Sequence, residues 1–214
     1  AEIYDFYQSN DTAIGAAGDD VIHDGYGTDL LSGGDGDDVM LQSHIYINGN
    51  QGQWDFNDTF DGGAGTDTLS FLQAVYFSYE QTGWVFDLAA GTVTGEGNVY
   101  STGVDTIVSI EHIIGSGASD TILGSGAAET LEGGFSADTI SGGGGRDQLY
   151  GGDGADTFVY SALSDSSGAK IDRIGDLTNA DVIDLSAIDA NTHKAGDQAF
   201  VLVASFGHHA GEAT

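Results

Sequence analysis

Nine acidic residues return at one fixed place in a nine-residue unit. Asp20, Asp29 and Asp38 lie in three units that run end to end, GAAGDDVIH, DGYGTDLLS and GGDGDDVML. Asp67 lies in an isolated unit, GGAGTDTLS. Asp120, Glu129, Asp138, Asp147 and Asp156 lie in five more in register, GSGASDTIL, GSGAAETLE, GGFSADTIS, GGGGRDQLY and GGDGADTFV. Small residues precede each acid. A large apolar residue follows two positions later: Ile22, Leu31, Met40, Leu69, Ile122, Leu131, Ile140, Leu149 and Phe158. Weaker echoes stand nine residues before a run, at Asp11, Asp58 and Glu111. Tight turns favour Gly and Asp on their own account, but turn chemistry does not make an acid return every nine residues. A carboxylate repeated in Gly-rich backbone is a set of oxygen donors, and its chemistry is the binding of cations.

Composition points the same way. The 214 residues carry 34 acidic side chains against 4 basic ones, a net charge of −30, with 35 Gly, no Pro and no Cys. Without Cys there is no disulfide framework and no thiolate metal site. A charge of this sign and size repels nucleic acid and anionic lipid. No stretch approaches the roughly 18 apolar residues that a membrane-spanning helix needs. Acidic, Gly-rich chains are commonly disordered. The 40 % hydrophobic content, with 2 Trp, 9 Tyr and 10 Phe, is not that of a disordered chain.

Nine residues make about 2.5 helical turns, so successive apolar positions would face opposite sides of a helix, and the glycines would break it. A three-residue strand followed by a six-residue turn fits instead. The apolar residue points inward from the middle of the strand and its neighbours point outward. Two units then form one coil of a flattened parallel β-solenoid, in which acids two units apart stack: Asp20 on Asp38, Asp120 on Asp138, Asp138 on Asp156, and Glu129 on Asp147. The absence of Pro suits stacked strands, where every N–H is needed. The chain divides into a first repeat block (1–41), hairpin insertions around the repeat at 62–70 (42–105), a second block (106–159) and a terminal segment (160–214). Within the insertions Asn48-Gly49 is a hairpin-turn signal, and FLQAVYFSY, WVFDLAAGTVTG and the run to GVDTIVSI read as longer strands.

The units resemble the G-G-x-G-x-D-x-U-x signature of the RTX (repeats-in-toxin) family. That resemblance implies an all-β, right-handed parallel β-roll, here with inserted β-hairpins and a C-terminal β cap, that binds several Ca²⁺ ions. Ca²⁺ takes six to eight oxygens at about 2.3–2.6 Å in a tolerant geometry, and stacked turns each supply half of such a shell. By this resemblance the ligands are the nine acids together with turn carbonyls at Gly15, Ala17, Gly33, Asp35, Gly134, Ser136, Gly143, Gly145, Gly151 and Asp153. On the order of four to eight ions are expected. Glu129 departs from the pattern by a methylene, Asp24 stands where the first Gly of its unit belongs, and Ser136 stands at a Gly position. Residues from Gly154 onward resemble the C-terminal module of serralysin-type metalloproteases. There the acids after the last repeat close the terminal ion sites, which implies Asp165 and Asp172. Leu177 stands where that family has Phe, and the family runs on beyond the position of Thr214. The strand-like runs KIDRIGDL, ADVIDLSAI and QAFVLVASF belong to this cap.

The resemblance further implies a secreted or cell-surface bacterial protein that leaves unfolded through type I secretion machinery and folds outside. A site with a dissociation constant of about 10⁻⁴ M, facing about 10⁻³ M Ca²⁺, stabilises the folded state by about 1.4 kcal/mol. The segment itself is expected to be non-catalytic. No HExxH zinc motif, EF-hand spacing or P-loop is present, and the adjacent His208 and His209 do not face one metal from a strand. Two alternatives remain: the C-terminal part of a secreted metalloprotease, hydrolase or epimerase whose catalytic domain lies upstream, or an adhesin or surface-layer segment. In the latter, residues 42–105 would present Trp54, Tyr76, Tyr79 and Trp84 to a glycan or protein ligand. Circular dichroism during a Ca²⁺ titration is expected to show the chain gaining β-structure, with Mg²⁺ a poor substitute because of its strict octahedral shell. Equal structure in excess EGTA would contradict this.

Overall fold

In each repeat the residue two places after the acid is a large apolar one in the middle of a short strand, and it faces inward. Residues 2–4, 10–25, 27–42, 57–72, 83–95 and 103–188 are described in a computed structural model. Among them every regular element is a strand. The first seven are β1 (Glu2–Tyr4), β2 (Thr12–Ala17), β3 (Val21–His23), β4 (Leu30–Asp35), β5 (Val39–Leu41), β6 (Thr59–Ala64) and β7 (Thr68–Ser70). Then come β8 (Trp84–Asp87), β9 (Thr92–Gly95), β10 (Asp105–Val108), β11 (His112–Ile114) and β12 (Thr121–Leu123). The last six are β13 (Thr130–Phe135), β14 (Thr139–Ser141), β15 (Gln148–Asp153), β16 (Thr157–Val159), β17 (Arg173–Ile174) and β18 (Val182–Asp184).

The chain winds between two sheets. One holds eight strands in the order β1-β3-β5-β7-β11-β13-β15-β17, and the other ten in the order β18-β16-β14-β12-β8-β9-β10-β6-β4-β2. Pairing between coils is parallel and keeps the repeat in register, as in Ile22↔Met40↔Leu69 and Leu131↔Leu149 in the first sheet, and Leu31↔Phe60 and Ile122↔Ile140 in the second. This is the all-β parallel roll that the repeats imply. All nine inward residues of the nonapeptides are at most 1 % exposed, forming one file of side chains per sheet.

Three details depart from expectation. Strands of three and six residues occur, because the glycines after several of the three-residue strands also pair between coils, as Gly34↔Gly63 and Gly134↔Gly152 do. WVFDLAAGTVTG is two strands, not one: β8 and β9 form an antiparallel hairpin around a turn at 88–91. The hairpin is spliced into the second sheet, with β9 antiparallel to β10 and β8 parallel to β12. The runs KIDRIGDL and ADVIDLSAI carry β17 and β18, which continue the two sheets of the roll by one more coil. Asn48-Gly49, FLQAVYFSY beyond Leu72, and QAFVLVASF lie outside the described residues.

Two extra rungs in one sheet add roughly 10 Å along that face, and aromatic rings fill the space. Phe71 packs edge-on against Trp84 (4.9 Å between centroids), Phe86 (5.0 Å) and Phe60 (6.4 Å), and all four are buried. Trp84 is 1 % exposed, so it belongs to this core, as burial of large aromatic side chains favours, and takes no part in the alternative ligand platform. Trp54, Tyr76 and Tyr79 lie outside the described residues. Replacing Phe71 by Ala is expected to cost about 3–5 kcal/mol in denaturant unfolding at saturating Ca²⁺. A loss within about 0.5 kcal/mol, the range of a surface change, would contradict its place in the core.

Candidate metal centres

Each coil turns twice, and each turn ends on an acid whose side chain lies two residues before an inward apolar one. The turns from the second sheet to the first carry Asp20, Asp38, Asp67, Glu111, Glu129, Asp147 and Asp172. Those from the first to the second carry Asp11, Asp29, Asp58, Asp120, Asp138, Asp156 and Asp181, and Asp105 opens β10 after β9 within the second sheet. The stacking builds a ladder along each edge. Along most of each ladder one carboxylate oxygen accepts the backbone N–H of the acid one coil earlier. Asp38 accepts from Asp20 (2.8 Å), Asp67 from Asp38 (2.8 Å) and Glu111 from Asp67 (3.0 Å). Further along this edge, Asp147 accepts from Glu129 (3.0 Å) and Asp172 from Asp147 (3.0 Å). On the other edge Asp29 accepts from Asp11 (2.7 Å), Asp58 from Asp29 (2.7 Å) and Asp105 from Asp58 (3.1 Å). The series resumes beyond the hairpin, where Asp138 accepts from Asp120 (2.8 Å), Asp156 from Asp138 (2.9 Å) and Asp181 from Asp156 (3.0 Å). All nine repeat acids stand in these ladders, with the expected stacked pairs in direct hydrogen bonds.

The second oxygen of each acid is what remains. In Asp38, Asp67, Asp138, Asp147, Asp156 and Asp172 the Oδ2 atom is buried and makes no hydrogen bond. A buried carboxylate oxygen with no donor is costly. The surroundings are backbone oxygens. A Cβ built on the first Gly of a unit would strike that unit's own acid and a carbonyl of the next coil. At Gly133 these are Asp138 Oδ2 and the carbonyl of Gly151 (2.6 Å), and at Gly115 Asp120 Oδ2 (2.7 Å) and the carbonyl of Gly133. Gly15 faces the carbonyl of Gly33 in the same way, and Gly152 and Gly154 face those of Gly134 and Ser136. The missing side chains leave cradles of carboxylate and carbonyl oxygen, a donor set suited to a hard divalent cation. The donors present therefore fit calcium.

Of the other carbonyl positions, Asp35 already accepts the Gly18 N–H (2.6 Å), leaving its second lone pair. Ser136 holds a backbone φ of 76°, and its Oγ donates to the carbonyl of Gly117. Ala17, Gly143, Gly145 and Asp153 lie in or beside the same edge turns or the strands that enter them. Glu129 uses its extra methylene to bend back onto its own turn, accepting from the Ser125 N–H (2.8 Å) and contacting Ser125 Oγ. Asp120 accepts from Ser116 in the same way. These two are the first nonapeptide acids after the hairpin.

At the far end, Asp172 closes one ladder. Asp165 instead accepts the N–H groups of Ser161 and Ala162 (2.8 Å each) and stays off the ladders. The other edge ends on Asp181. Asp176 beside it accepts from the N–H groups of Gly151 (3.0 Å) and Gly152 (2.8 Å). Asp58, Asp105 and Glu111 share one signal with the repeats, an acid two places before a buried apolar residue (Phe60, Ile107, Ile113), and Asp181 stands two before Ile183, which pairs with Phe158 and is 42 % exposed. The signal persists where the glycines are lost.

Burial pushes the Asp138 carboxyl up to about 8, against the pull of the Asp120 N–H, and the charges of Asp120 and Asp156 add to the rise. Burial likewise lifts Asp147 to about 6, with Asp172 and Glu129 adding and the Glu129 N–H and Lys170 opposing. A raised carboxyl means the folded chain holds protons that the unfolded chain releases. In EGTA the stabilising contribution of these groups is complete below about pH 4. It falls as pH rises, through about 6 for Asp147 and about 8 for Asp138. Without calcium the β-structure seen by circular dichroism should therefore be greatest near pH 4 and decline towards pH 8. A calcium-free signal that rises over that window would contradict the buried ladders.

The comparisons with known proteins agree with the geometry. The RTX calcium-binding nonapeptide repeat (4 copies) matches residues 7–40, 55–71, 110–135 and 123–158. These stretches hold the repeat acids and end before the terminal segment. No curated protein matches the chain. A parallel roll, two edges of stacked acids cradled by carbonyls, and four matched stretches make one identification: the chain carries RTX calcium-binding nonapeptide repeats, and its repeat region is a structural calcium-binding module.

Proposed function

We propose that this chain is a calcium-dependent folding module of a secreted bacterial protein, disordered where calcium is scarce and folded where it is plentiful. The observation that carries this reading is the row of buried Oδ2 atoms of Asp38, Asp67, Asp138, Asp147, Asp156 and Asp172, which have no donor. The ion pair of His112 with Glu132 (3.0 Å) stands off the ladders. Bound calcium supplies the positive charge that these oxygens lack. Asp38, Asp67, Asp138, Asp147 and Asp156 then hold adjacent coils together, and the glycines keep the cradles open.

Ligands in this class of module work at about 10⁻⁴–10⁻³ M Ca²⁺. The chain thus stays unfolded and exportable through type I secretion inside the cell and folds outside. Asp172 and Asp181 complete the last coil, in keeping with a serralysin-type C-terminal module over Gly154 onward. The module is non-catalytic and serves as the folding end of a larger secreted protein.

Limited proteolysis across a Ca²⁺ series tests this. The chain should be digested throughout in EGTA and should give protected fragments covering 103–188 near 10⁻³ M. Protection that is independent of calcium would overturn the reading. Gly133→Ala, whose Cβ would meet Asp138 Oδ2 and the carbonyl of Gly151, should raise the calcium needed for protection.

A further inference from the structure

Every other nonapeptide of the roll opens on Gly. At Gly15, Gly33, Gly62, Gly115, Gly124, Gly133, Gly142 and Gly151 an added Cβ would point at the acid five residues later in the same unit. The first position therefore looks into the cradle. One unit breaks the rule: Asp24 opens DGYGTDLLS, five residues before Asp29. Its side chain is 1 % exposed and starts from the position at which the other units have none. Carboxylate oxygens of Asp24, Asp29 and Asp58 lie within 4.8 Å of one another. Asp105, one coil further, is also fully buried and adds its charge to the group. Burial pushes the Asp24 carboxyl well above its ordinary value, and Asp58, Asp29 and Asp105 push it further. On the same edge, Asp138 and Asp156 each leave a buried Oδ2 atom without a donor, which places a cation demand at this height of the turn independently of Asp24. The family match spans all three converging acids.

We infer that Asp24 supplies a third carboxylate to the calcium site between Asp29 and Asp58, making it the tightest site of the roll and the first to fill. The inference rests on the calcium reading above. Elsewhere on the ladders two acids face each cradle and backbone carbonyls complete the shell. Here one neutral position is replaced by a charged ligand, and Ca²⁺ affinity rises with the charge count of the ligands. Asp29 and Asp58 come from coils separated by the insertion 42–57. Filling this site first fastens the chain across that insertion before the weaker cradles close.

The test is a calorimetric Ca²⁺ titration of the chelator-treated full chain, with circular dichroism recorded in parallel, on the native protein, D24G and D24N. D24G restores the residue found in the other units and keeps the turn foldable. In the native chain a tight step should precede the main gain of β-structure. In D24G that step should weaken by about tenfold or more while the later steps keep their midpoints, and D24N should fall between the two. An unchanged tight step in D24G, or an additional one, overturns the inference and makes Asp24 a neutral or obstructing residue. If the native chain binds no calcium at all, the calcium reading itself fails, and the inference with it.

Discussion

The roll depends on one constraint: buried carboxylates stacked at the spacing of β-strands. Adjacent coils stand about 4.8 Å apart, and the geometry that aligns apolar side chains in the core aligns negative charge along both edges. The backbone answers half of each acid, through the N–H of the acid one coil earlier. No side chain answers the other half in Asp38, Asp67, Asp138, Asp147 and Asp156. Core and edge thus pull in opposite directions, and the core is thin, with one inward residue per strand. A cation that binds both acid and carbonyl reverses the sign of the edge term without altering the core.

The periodic part of this structure was open to sequence reasoning. Ile22, Leu31 and Met40 occupy the inward positions expected of them, and the stacked pairs Asp20–Asp38 and Glu129–Asp147 are hydrogen-bonded. The aperiodic part was not. Asp105 and Asp181 hold rungs of the ladder without Gly-rich turns before them, so a search for glycines passes over them, and Asp58 shows only through its nine-residue spacing from Asp67. The hairpin β8–β9 was read as one strand because alternation alone does not register the reversal at Leu88–Gly91. For Trp84 the sequence allows both a core position and a surface platform. Its burial follows from Phe71 and Phe86, whose proximity no local pattern conveys.

Asp24 shows how one substitution acquires meaning only in the assembled roll. In the sequence it is a lapse from consensus at a position that contributes a carbonyl either way. In the fold the first position of each unit faces the acid five residues later. A side chain there enters a cradle, and what matters is whether it brings oxygen. Glu129 is the converse case. Its extra methylene lets the carboxylate fold back on Ser125, so an atypical acid keeps its place in the column by changing its partner.

The junction at Trp84 has a consequence for how such chains lengthen. Asp120 receives there the backbone N–H of Trp84 (2.7 Å), where its neighbours receive that of an acid. The rung recognises an amide at the right height and is indifferent to the side chain attached to it. Foreign segments can therefore be grafted between coils wherever their last residue presents one N–H to the waiting carboxylate, and the periodic lattice resumes on the far side without loss of phase. A roll of this kind is a scaffold that accepts cargo through its rungs, with new loops acquired at the cost of a single hydrogen-bond donor.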